Sequence, residues 1–118
     1  MKTIYAACLS RLGLSQAEAA SLHGAGIQTV KHWSSGRRPI PAGVWDDLRA
    51  YNARIMDRAD AMLETWEAAG SPPIEIDDSE ADDVGLMAYA DLVLSTDAPV
   101  HIGQTAATMM ARQARRPN

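Results

Sequence analysis

Between Thr3 and Pro41 no helix can run for more than about three turns. Gly13, Gly24, Gly26 and Gly36 interrupt this part of the chain, and Pro39 and Pro41 close it. Glycine is the favoured left-handed stop after a helix, and proline disfavours α geometry in the residue before it. Three short helices fit between these points. Thr3 can cap a helix running to Leu12, with Gly13 as its stop. In 15-SQAE-18 a serine stands three residues before a glutamate, a capping box that opens a second helix to about His23. A third covers about 27-IQTVKHWS-34 and ends near Gly36, and 37-RRPIP-41 is extended.

Charge divides the chain at about the same place. The formal net charge of −4 over 118 residues conceals a basic head on an acidic body. Residues 1–43 carry Lys2, Arg11, Lys31, Arg37 and Arg38 against Glu18 alone, a net of +4. Residues 44–118 carry six arginines against fourteen acids, a net of −8. A polyanionic partner responds to the local field, so the head is the part that would attract one.

Beyond Pro41 the pattern lengthens. From Pro41 or Ala42 to near Gly70, the residues Val44, Leu48, Tyr51, Ile55, Ala59, Met62 and Trp66 recur at steps of three and four, one stripe on one helix face. Trp45, Met56 and Leu63 widen it, and a break near Asn52 would bring so long a helix to ordinary length. After the linker 70-GSPP-73, the alternating 74-IEI-76 reads as a short strand. The acidic 77-DDSEADD-83 reads as a turn into a helix over roughly 83–94. The segment from Pro99 to Arg116 has two readings. It is a last helix with Ile102, Ala106, Met109 and Gln113 on one face, or 100-VHI-102 is a strand pairing with 74-IEI-76; the helix is preferred. The fold class is therefore all-α, with that strand pair as the one exception to allow for. Residues 1–43 form the head, with packing extending to about 50, and residues 44–118 form a helical second region.

Two short helices joined by a glycine-containing turn make a helix-turn-helix unit. Counting Gln16 as its first residue, Ala20 is fifth, Gly24 ninth, Val30 fifteenth and Trp33 eighteenth. A small fifth residue lets the helices cross closely, and the ninth glycine permits the turn's positive φ. Val30 and Trp33, three apart, face inward together. In 12-LGLSQAEAA-20, Gly24, 29-TVKHW-33 and 36-GRRP-39 the chain resembles the Cro/cI-type helix-turn-helix family of bacterial and phage regulators, over roughly residues 3–50. It departs at His23, where a bulky aliphatic is usual, and at Gly26, where a Ser or Thr cap is usual. His23 is expected to top the small core and bond a backbone carbonyl.

The resemblance implies a sequence-specific DNA-binding regulator, a dimeric repressor whose helix 27–34 enters the major groove. On that basis Ile27, Gln28, Lys31 and His32 read bases. Gln28 can bond adenine, Lys31 can donate to guanine, and Ile27 can touch a thymine methyl. Gln16, Thr29, Ser34, Ser35, Arg37 and Arg38 are placed for phosphates. A twofold dimer on a palindromic operator needs half-sites about one helical turn, ~34–36 Å, apart. The stripe supplies the expected dimer contacts: Leu48, Tyr51, Ile55, Met62 and Trp66, with Met109 from the last segment. Small bacterial regulators and anti-CRISPR-associated autorepressors share the layout. The alternative function is that of an antitoxin, whose acidic region neutralises a basic partner enzyme while the head autoregulates the operon.

Other chemistry finds no support in the sequence. No P-loop, G-x-S-x-G, H-E-x-x-H or Cys–His pair occurs, so no enzyme is expected and no cofactor. Cys8 is the only cysteine, which excludes an internal disulfide and a Cys-based zinc set and fits the cytoplasm. Asp77, Asp78, Glu80, Asp82 and Asp83 lack the glycine and terminal glutamate of an EF-hand loop, and they read as a solvated acidic turn. No apolar run reaches the ~20 residues that span a bilayer.

Overall fold

The structure is a computed structural model, and it describes residues 3–103. These fold into five helices and one pair of strands: α1 (Ile4–Leu12), α2 (Gln16–His23), α3 (Ile27–Ser35), α4 (Ala42–Ala68), β1 (Ile74–Asp77), α5 (Asp83–Ser95) and β2 (Val100–Gly103). The fold is mostly helical, with one short parallel strand pair.

The first three helices begin and end where capping chemistry dictates. The Ser15 hydroxyl accepts the Glu18 N–H while the Glu18 carboxylate accepts the Ser15 N–H, both at 3.0 Å. Each cap of this kind stabilises a helix by about 1 kcal/mol. Gly24 closes α2 at φ 64°, a left-handed conformation in which its N–H bonds back into the last turn. Gly26 opens α3 with no side-chain bond. The loss is small, because glycine at this position costs only a few tenths of a kcal/mol against the best caps.

Contacts group the chain into two units that divide between Arg54 and Ile55, inside α4. The division lies just beyond the sequence-based limit of about 50, because the first turns of α4 pack in the head. In the first unit Tyr5, Leu9, Leu12, Ala19, Ala20, Val30, Trp33, Val44, Leu48 and Tyr51 are buried. Tyr5 holds the centre. Its ring meets Trp33 at 5.9 Å and Trp45 at 6.2 Å, both edge-on at 75°, an arrangement that adds about 0.5–1.5 kcal/mol per pair beyond area burial.

In the second unit, Ile74, Ile76 and Leu92 form the centre of an aliphatic cluster. Met62, Leu63, Trp66, Tyr89, Val93 and Ala98 pack against it. β1 turns Ile74 and Ile76 inward and Glu75 out, the period-two alternation of a strand with one covered face. β1 and β2 run parallel, with Ile74 opposite Val100 and Ile76 opposite Ile102. Parallel strands need a crossover, and α5 supplies it. Asp82 caps α5 by accepting the Gly85 N–H at 2.7 Å.

Three expectations are corrected here. Residues 100–103 are a strand, so the preferred last helix does not start at Pro99. Four residues suffice to satisfy a partner strand, and this run is too short for periodicity to separate the two readings. The remainder of that helix, with Ala106, Met109 and Gln113, lies outside the described residues. α4 runs unbroken through Asn52. Met56, placed on the stripe, is exposed.

Candidate nucleic-acid interface

α3 has two unlike faces. Val30 and Trp33 are buried, and the opposite side presents Ile27, Gln28 and Lys31 to solvent, with His32 half-exposed beside them. Ile27 is 43% exposed. Beyond the helix, Gly36 takes φ 78° and hands back two hydrogen bonds, to the His32 and Trp33 carbonyls. Arg37 and Arg38 follow at once, and both are exposed. Among the described residues, the Lys31, Arg37 and Arg38 side chains make no ion pair. Gln16 is exposed at the start of α2, Thr29 is half-buried and Ser35 is exposed.

Two devices hold α3 in place. The first is Thr3. Its hydroxyl oxygen accepts the Ala6 N–H at 3.1 Å, capping α1, and its hydrogen goes to the Ser34 carbonyl at 2.8 Å. One side chain thereby fastens the start of α1 to the end of α3. The second is a part-buried chain of polar groups that reaches the surface at Asp47. The His23 side chain, 1% exposed, bonds Asp47 Oδ2 through Nδ1 at 2.8 Å. Its Nε2 meets the Tyr5 hydroxyl at 3.1 Å. A carboxylate only accepts, so Nδ1 carries the hydrogen, and on the neutral ring Nε2 accepts the Tyr5 O–H. The same ring lies edge-on to Trp33 at 5.8 Å. α1, α2 and α4 therefore meet behind α3. Burial pushes the Tyr5 hydroxyl up to about 12, because the phenolate would lose its water.

Several site assignments change. His23 bonds side chains and not a backbone carbonyl. Asp47 escaped the sequence reading, although it lies three residues after Val44 and four before Tyr51, on the stripe itself. An acid on an apolar face was the available signal. Ser34 drops out as a phosphate contact: its hydroxyl oxygen is enclosed, without a hydrogen-bond partner. The Ser35 hydroxyl leans back on the His32 carbonyl at 3.3 Å but stays at the surface. Of the expected dimer contacts, Leu48, Tyr51 and Ile55 are buried within a single chain. They have little surface left to give a second copy. Met62 and Trp66 are half-buried against the aliphatic cluster.

Among the described residues, no three His, Cys, Asp or Glu side chains gather to hold a metal ion, and no helix is long and apolar enough to cross a membrane. Comparison with protein families and with curated proteins returns no match.

Proposed function

We propose that this chain is a sequence-specific DNA-binding regulator of the Cro/cI type, a cytoplasmic repressor that occupies an operator as a dimer. The observation that carries the reading is the outer side of α3. Gln28 and Lys31 stand exposed on the helix, and Arg37 and Arg38 stand exposed at its exit with no acid among the described residues neutralising them. A helix backed by buried Val30 and Trp33 and fringed with uncommitted cations has the form that enters a major groove. Gln28 then bonds adenine, Lys31 donates to guanine, and Ile27 meets a thymine methyl. His32 reads or steers beside them. Gln16, Thr29, Ser35, Arg37 and Arg38 hold phosphates on either side.

The dimer is proposed on a different surface from the stripe. Leu86, Leu94, Val100 and Ile102 are exposed in the second unit, with Leu94 at 85%. An exposed apolar face of this kind calls for a protein partner. A second copy satisfies the dimer, and a partner enzyme on the same face is the antitoxin alternative.

Selection of bound fragments from random duplex DNA at modest salt tests the reading, and recovery of no preferred sequence would sink it. Gln28→Ala and Lys31→Ala should each cost about 1–3 kcal/mol on the preferred site and relax base preference there. Arg37→Ala should weaken all sequences alike and flatten the salt slope by about one unit.

A further inference from the structure

The second unit contains a cavity of about 410 Å³ that the DNA-binding reading leaves unused. That volume falls within the ~300–1,000 Å³ of small-molecule sites. Trp66 and Tyr89 supply aromatic walls, with Met62, Ile74 and Leu92 completing an apolar lining. Trp66 is held in orientation, since its indole N–H donates to the Pro72 carbonyl at 2.7 Å. The Tyr89 hydroxyl makes no hydrogen bond among the described residues.

Among the described residues, the charges that line this cavity are one cation, Arg58, and one acid, Glu75. Arg58 meets Asp82 through two long contacts of 3.4 Å, with the side chains 46% and 63% exposed. Asp82 has a better partner of its own, the Gly85 N–H at 2.7 Å, and that bond is the first cause of its lowered pKa, ahead of Arg58. Arg58 can therefore leave Asp82 without orphaning it. A guanidinium freed in this way pairs bidentately with a carboxylate. Glu75 on the same lining repels a second negative group.

The geometry points to a binding site for a small aromatic monocarboxylate, its ring between Trp66 and Tyr89 and its carboxylate on Arg58. The inference is independent of whether the head binds DNA.

Calorimetric titration of the full chain with benzoate, 1-naphthoate and indole-3-acetate tests it. At least one should bind at one site per chain. Arg58→Gln should weaken that acid about tenfold or more, the loss of a charge-assisted bidentate pair, and leave its uncharged amide unchanged. Ala61→Phe, which fills the cavity from an exposed helix position, should abolish both. Ile4→Ser, at an exposed residue of the first unit, should alter neither. No binding by any of the three acids, equal loss of acid and amide in Arg58→Gln, or loss of binding in Ile4→Ser overturns the site. Each variant's helical circular dichroism is read alongside, and Arg58→Gln changes only an exposed side chain, so the charge test does not depend on Ala61→Phe folding.

Discussion

Residues 3–54 and residues 55–103 solve the same problem of holding helices together with different materials. In the first, polar groups run into the core and are answered by one another: Tyr5 to His23, His23 to Asp47, Thr3 to the Ser34 carbonyl. In the second, the centre is Ile74, Ile76 and Leu92, and the polar contacts stay outside. Exposure differs as well. The large exposed apolar residues of the first unit are Ile4 and Ile27, and Ile27 lies on the outer side of α3. In the second, Leu86, Leu94, Val100 and Ile102 line one cavity of about 330 Å³. Directional bonds fix orientation, whereas aliphatic contact is tolerant of direction. The unit that holds α3 uses the former, and the unit with an apolar face left over uses the latter.

The sharpest way to break this contrast is Trp33→Ala. It removes the ring that backs α3 and touches both Tyr5 and His23, and it should cost about 3–5 kcal/mol. Amide hydrogen exchange should then rise through α1, α2 and α3 more than in β1 and α5; a uniform rise would mean that the two units do not differ in this way.

Asp47→Ala should have the next largest effect. It leaves the buried Nδ1–H of His23 without an acceptor, a loss of about 1–3 kcal/mol in chemical denaturation. Loss within error of zero would show that water replaces the carboxylate.

The smallest effect near neutrality separates the two units by pH. The Tyr5 hydroxyl ionises later in the folded chain than in the unfolded one, at about 12 against 10. Its contribution is complete below pH 10 and is lost as pH rises from there through about 12. Asp82 has the opposite sense. Its folded pKa lies below the ordinary carboxylate value, through the Gly85 N–H and then Arg58. The α5 cap therefore contributes above that value and fades as pH falls through the lowered one. Thermal melts should lose the first unit's signals at the alkaline end and those of α5 at the acid end. Tyr5→Phe should flatten only the alkaline side.

The three short helices were legible in the sequence because their limits are local. As helix caps, Thr3, Ser15, Gly13, Gly24 and Gly36 each act within one turn of the chain. Val30 and Trp33 followed from spacing alone. What escaped depends on distant partners. His23 has the same local surroundings whether it meets a carbonyl or Asp47, and the difference lies 24 residues away. The pairing of 100–102 with 74–76 stood in the sequence only as the second reading, because V-H-I alternates like I-E-I but is too short to exclude a helix. The apolar stripe of α4 was correctly placed from Val44 to Trp66, but its occupant was not. Periodicity reports that a face is covered and leaves open whether the same chain covers it.

The placement of the three tryptophans has an optical consequence. Trp33 and Trp45 both stand against Tyr5, and Trp33 also meets the His23 ring, while Trp66 belongs to the aliphatic cluster of the other unit. The chain thus carries two spectrally addressable reporters without any label. Replacing Trp66 by phenylalanine leaves emission from the head alone, so unfolding of α1–α3, or its engagement by a polyanion, can be followed against a silent background.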